Sequence, residues 1–470
     1  MNQLSSSIVE QCDFGDKRLT NRAVLLEEIL SLKYGKPLSL IFESASDLKR
    51  AYEFFSNAKT SFTKVTAPYH QETAKQIREW PIVLAVGDTT YLDYKKIRAK
   101  RDKYGPIGNG GNGLILHSAL AVNADNGQPI GLLWEKLWHR EHKQSNTRKT
   151  KKQKKKQQAE ARKRPIEEKE SYRWIEAVKE VQKLGQSAAL DQIRPKIIHV
   201  FDREGDIAEV FDEVSQTINT GVVVRAAHNR AIEESDSYLW QWLPSQPIKI
   251  EVAVELPKTQ KRSERTAKLA IRYAPLSLRT PSRIKDQEYF EVYGVYAVEI
   301  DPPEGCEPVE WMLLTTEPVT NEGEAQTILR WYTYRWRIEE YHKILKSGCK
   351  AESYRLAGDS MQVLLGFLTQ IAAQLLKMTY LNRTTPEAAA SSVLNQVQIE
   401  VLVAKAQKPV TTVDLTVAWA FESVARLGGY LSHRKNSPIG ITVLWRGWSE
   451  LQQLCQGWQL RNNWRQKIEN

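Results

Sequence analysis

Two aspartates stand directly after apolar runs that read as buried strands. Asp88 follows IVLAVG and Asp202 follows IIHVF. A charge beside a buried strand is costly unless it caps a turn or has chemistry to do. A third acid, Glu339, lies in the helical-looking string YTYRWRIEEYHKILK. Three separated carboxylates of this kind suit phosphoryl transfer with two divalent ions, which sit ~3.5–4 Å apart over the attacking and leaving oxygens. Magnesium takes hard oxygen ligands and keeps waters, so few carboxylates suffice. Strand ends and helix faces hold such ligands rigidly.

Around Glu339 the spacing carries more information. Tyr332, Arg335, Glu339 and Lys346 follow the pattern Tyr-(2)-Arg-(3)-Glu-(6)-Lys. At ~100° per residue, one regular helix places these four within about 60° of each other. Trp331, Tyr334, Ile338, Tyr341 and Leu345 form an apolar stripe about 110° away, suited to packing. A carboxylate flanked by two cations and a phenol suits a metal beside DNA phosphates. A solvated ladder of Arg–Glu and Glu–Lys pairs is the ordinary alternative.

The elements that must position these groups follow from patterning. The first 75 residues alternate helical stretches with turns, and Asp47 is a candidate helix cap before LKRAYEFF. From residue 76 the chain turns strand-rich, in PIVLAVGDTTYLDY, LILHSALAVN and QPIGLLWEKLW. EEKESYRWIEAVKEVQKLG predicts an amphipathic helix, KIIHVFD a strand, AEVFDEVSQTI a helix and GVVVRAA a strand. A β-rich insert is expected at about 231–320, then one long helix from about Glu322 to Ser347, and helices to the end. The fold class is therefore α/β, a mixed sheet with helices and all-α regions at both ends. The regions expected are 1–75, a core at 76–355, and 356–470.

Hydrophobic residues make up 41% of the 470, enough to exclude a disordered chain. The net charge is +11, of which residues 143–164 supply +10, leaving about +1 elsewhere. The basic tract is thus local: a solvated loop or a tether for phosphates. Four dispersed cysteines argue for free thiols and against a zinc site. The longest apolar run, VLLGFL, is too short to span a bilayer, and no secretory signal opens the chain. No membrane partner is expected, and a cytoplasmic location is.

At these motifs the sequence resembles the hairpin-forming bacterial insertion-sequence DDE transposases, through the strings YRWRIEEYHKILKSG, GDTTYLDY and FDREGDI. HSALAV, EKES before Trp174, WMLLTTEPV and the opening FGDKRLTNR match in the same order. The resemblance covers nearly the whole chain. It implies an RNase H-like core in which Asp88, Asp202 and Glu339 hold two Mg²⁺, with Mn²⁺ as a substitute. It implies cut-and-paste transposition of double-stranded DNA: nicking at inverted-repeat ends, hairpin formation, hairpin opening, and transfer into target DNA. Tyr332, Arg335 and Lys346 match a phosphate clamp beside a flipped base, and Trp311 the aromatic that takes its place. Arg225 matches a further phosphate contact, and Arg18 and Arg22 are candidates for end recognition in residues 1–75. The resemblance further implies a homodimer that synapses two ends through residues 356–470. Ala227 stands where a basic residue is expected. A catalytically silent DNA-binding relative would keep the fold, and a repair nuclease the acids without the clamp.

Overall fold

The computed structural model describes residues 8–469 apart from 43, 98–101, 143–159, 161–163, 187–193, 257–264, 285–286, 408, 412–413 and 432–438. Apart from Glu160 and Arg164, the basic tract at 143–164 lies outside these residues. The chain opens with α1 (Lys17–Lys33), α2 (Ala45–Phe55) and α3 (Phe62–Gln76). Asp16 caps α1 by accepting from the Arg18 amide. The cap of α2 is Ser44, not Asp47. The Ser44 hydroxyl accepts from the Asp47 amide and donates to the Asp47 carboxylate, so Asp47 lies inside the first turn.

The sheet begins with β1 (Ile82–Asp93), β2 (Gly105–Gly108), β3 (Gly111–Asn123) and β4 (Pro129–Trp138). Helix α4 (Tyr172–Gln186) leads to β5 (Lys196–Phe201), and α5 (Ala208–Ser215) leads to β6 (Thr220–Arg225). β3 pairs antiparallel with both β1 and β4, whereas β1, β5 and β6 run parallel. The spatial order β4-β3-β1-β5-β6, with helical crossovers joining the parallel strands, is the RNase H-like arrangement.

The residues that follow supply α6 (Leu239–Ser245), β7 (Ile250–Leu256), β8 (Arg265–Arg279), β9 (Tyr289–Glu299) and β10 (Glu310–Thr315). β10 joins β6 antiparallel, so the insert extends the same sheet to ten strands and covers the β6 edge. Period-2 alternation sets two faces. Val223 and Leu313 belong to the main core, while Val222, Val224, Met312 and Leu314 belong to a second core with Trp174 and Phe211.

The single helix expected at 322–347 is two helices and a turn: α7 (Glu322–Thr333), α8 (Trp336–Lys343) and a π turn at Ile344–Gly348. Between α7 and α8 the bonds tighten, with Arg335 N on Tyr332 O and Arg337 N on Tyr334 O. Three-residue bonds rotate the chain faster than an α-helix and five-residue bonds slower, so the single-helix projection does not hold. The apolar stripe survives in part: Trp331, Ile338, Tyr341 and Leu345 are buried, and Tyr334 is half-buried.

Helices α9 (Gly358–Thr384), α10 (Gln396–Lys405), α11 (Val417–Leu427) and α12 (Ile441–Glu469) complete the chain. By length and composition α9 could cross a membrane, which the short run at 363–368 does not suggest, but 78% of its apolar window is buried inside the molecule. One continuous core runs from Val9 and Phe54 through Phe367 on α9 to Leu116 and Ile198 of the sheet.

Candidate active site

Asp88 lies within β1 opposite Ser118 of β3, two residues past Val86–Val200, the last pairing with β5. Asp202 follows β5 directly and caps a short turn, accepting from the Glu204 amide at 2.8 Å. Parallel pairing of β1 with β5 therefore brings two acids, remote in sequence, to the same end of the β1–β5 paired segment. Burial pushes the Asp88 carboxyl up, but His342, with Nδ1 3.5 Å away, together with Arg335 and the Thr89 amide holds it below its ordinary value. Asp202 goes the other way: burial and then the Asp88 charge raise it, outweighing Arg335. The Asp88 charge thus reaches Asp202, and the two carboxylates repel one another.

Glu339 extends from α8 and is half exposed. Its Oε1 accepts from Arg335 Nη2 at 2.6 Å. Burial works against the Arg335 charge, but Tyr332, Glu339 and Asp88 outweigh it and keep the guanidinium charged. One buried cation is thus ion-paired to Glu339 and within the field of both aspartates. Among the described residues no three His, Cys, Asp or Glu side chains converge closely enough to hold a metal ion. In donor chemistry the three carboxylates suit magnesium. In position, Glu339 is engaged by Arg335.

The other residues singled out in the sequence divide into two groups. Trp311, on β10, is buried edge-on against Tyr332 (centroids 5.5 Å) and Trp336 (6.1 Å), and Tyr332 is equally buried. Arg225, at the end of β6, donates to the Glu310 carbonyl at 2.7 Å, and burial, the nearby Arg203 and then Arg335 lower its pKa. Lys346 sits on the π turn, 3.9 Å from Glu352, whose carboxylate also accepts from the Asp93 amide. Arg18 and Arg22 belong instead to α1. Arg18 is 92% exposed and pairs with Asp16, and Arg22 lies 4.0 Å from Asp47.

Sequence reasoning gave no role to His342, although it lies three residues beyond Glu339 and hence on the same side of α8. It also passed over a chain of hydrogen bonds next to the aspartates. Thr89 Oγ1 lies 2.8 Å from His117 Nδ1 and accepts from Arg173 Nε at 2.9 Å. Arginine has no acceptor, so the Thr89 hydroxyl hydrogen points to Nδ1, which must be unprotonated. Accordingly burial, then the Arg173 charge, lowers His117 from 6.5 to about 3.

Comparison with protein-family models gives two matches. Residues 1–60 match the family described as Transposase DNA-binding, and residues 55–375 match the Transposase DDE domain.

Proposed function

The chain belongs to the DDE-domain transposases, and from that premise we propose that it excises and inserts a mobile element by nicking, hairpin formation, hairpin opening and strand transfer. The supporting observation is Arg335, a buried guanidinium paired with Glu339 and felt by both Asp88 and Asp202. Asp88, Asp202 and Glu339 would hold two Mg²⁺, or Mn²⁺ in their place, which would supply positive charge to the attacking and leaving oxygens.

The protein's own groups do the rest. Arg335 neutralises the acids before DNA arrives. A phosphate drawing it away would free Glu339, which makes substrate binding and assembly of the acid trio a single event. Tyr332, Arg335 and Lys346 then clamp the phosphate next to the cleaved bond, with Arg225 beside them. Trp311 takes the place of a flipped base once it leaves its packing against Tyr332 and Trp336. Residues 1–75 read the ends with Arg18 and Arg22, residues 76–355 cut, and residues 356–470 pair two copies on two ends, in the bacterial cytoplasm.

Supercoiled donor DNA bearing the element's ends, purified protein and Mg²⁺ test this reading. Hairpinned excised ends are expected. Nicks alone would indicate a nuclease, and a mobility shift without cleavage would indicate a binding protein.

A further inference from the structure

Asp88 and Asp202 repel one another, yet their carboxylates have to stay at a separation that divalent ions can bridge. A single side chain links the residue after Asp88, on β1, to the turn that Asp202 caps. Arg173, near the start of α4, has a side chain only 9% exposed. Its Nε donates to Thr89 Oγ1 at 2.9 Å, on the residue after Asp88. Its Nη2 donates to the carboxylate of Glu204, whose amide in turn holds Asp202. Its third arm, Nη1, donates to the Glu170 carbonyl at 2.9 Å and anchors the fork to the start of its own helix.

We propose that Arg173 is a positioning residue, a brace that sets the spacing between the β1 backbone at Asp88 and the turn at Asp202. This inference rests on the reading of those aspartates as metal ligands. The guanidinium is planar, with donors fixed in direction, so three bonds made at once fix three separate backbone segments relative to one another. Thr89 and Glu204 lie 84 and 31 residues from Arg173 in the chain, so local backbone geometry does not impose these contacts. Arg173 touches neither aspartate and so acts through their neighbours. By occupying the Glu204 carboxylate it also keeps a fourth acid, two residues from Asp202, from competing for the cation. Lysine at this position would keep the charge but reach one partner at a time.

The test uses the full-length protein and calorimetric Mn²⁺ binding on pre-cleaved end DNA, with DNA-only blanks subtracted, alongside thermal melting and metal-free binding to end DNA. Arg173→Lys is expected to weaken Mn²⁺ binding by about tenfold or more, as loss of an orienting partner does in other metal sites. The Mg²⁺ needed for half-maximal nicking rises in parallel, while melting and end binding stay close to wild type. Thr89→Val reproduces part of the loss, Thr89→Ser restores it, and Thr89→Val adds little on top of Arg173→Lys. Wild-type Mn²⁺ affinity in both Arg173→Lys and Thr89→Val overturns the brace, as does a loss that only tracks a lower melting point. Asp88→Ala is the control. If it binds Mn²⁺ like wild type, the metal-ligand reading falls; if it loses Mn²⁺ while Arg173→Lys does not, only the brace falls.

Discussion

Glu27 offers a quantitative test of how the amino-terminal helices are held. It lies on the inner face of α1, fully buried, and neither carboxylate oxygen has a hydrogen-bond partner within normal reach. Burial raises it from its ordinary 4.5 to about 7, with the Tyr69 hydroxyl on α3 close enough to hold the rise back. The folded protein thus binds this proton more tightly than the unfolded chain. Between those two values the unfolded state sheds it first, so stability falls as pH rises from about 4.5 towards 7 and the loss is complete above that. At about 1.4 kcal/mol per pH unit, the ionised carboxylate costs about 3 kcal/mol at pH ~8 and under about 1 kcal/mol at pH ~5. Glu27→Gln cannot ionise, and any cost of its own unpaired amide is the same at both pH values. The stability difference between variant and wild type should therefore grow by about 2.5 kcal/mol from pH ~5 to pH ~8. Urea midpoints at the two pH values measure this, with amide exchange in α1 as a local probe. A difference that is flat with pH, or larger on the acid side, would refute the burial argument.

Three further outcomes follow from the site. Glu339→Ala should abolish cleavage yet leave end binding intact, since in the proposed site that acid would hold metal and not DNA; cleavage at a tenth of the wild-type rate would remove it from the catalytic set. Trp311→Ala should lower stability by about 3–5 kcal/mol because the ring is buried, and should slow hairpin formation more than first-strand nicking. Equal loss at both steps in gel assays would reduce Trp311 to packing. Gly87→Ala places a Cβ 2.6 Å from the Phe201 ring in the strand that carries Asp88, so melting should show about 1–3 kcal/mol of overpacking cost. An unchanged melting point would contradict the tight β1–β5 seam.

The two aspartates were legible because each interrupts a pattern: a strand-like apolar run broken by an acid at Asp88 and Asp202. A mixed α/β sheet could also be anticipated from three strands, helix, strand, helix, strand, whereas its RNase H-like form was implied only by the resemblance of the motifs. The kink between α7 and α8 was hidden. No glycine or proline marks Tyr334 or Arg335; on either side of the bend Trp331 donates to the Ala124 carbonyl and Tyr341 to Glu135, contacts remote in the chain that no local spacing encodes. Asp47 looked like a cap because its side chain does bond at the helix start, but from inside the first turn. Arg173 was invisible for the same reason as the kink: its partners are brought to it by the sheet.

The burial of α9 has a consequence for how such an element diversifies. The DNA-binding segment at 1–60 is not strung on a linker ahead of the cutting machinery, because Phe54 packs directly on Phe367 of α9. Swapping in a foreign reading head would tear open the interior that keeps the nuclease folded. New DNA specificity must then accumulate through changes to outward-facing side chains of this segment, one substitution at a time, on a scaffold inherited whole; the exposed Arg18 is the candidate proposed for that role.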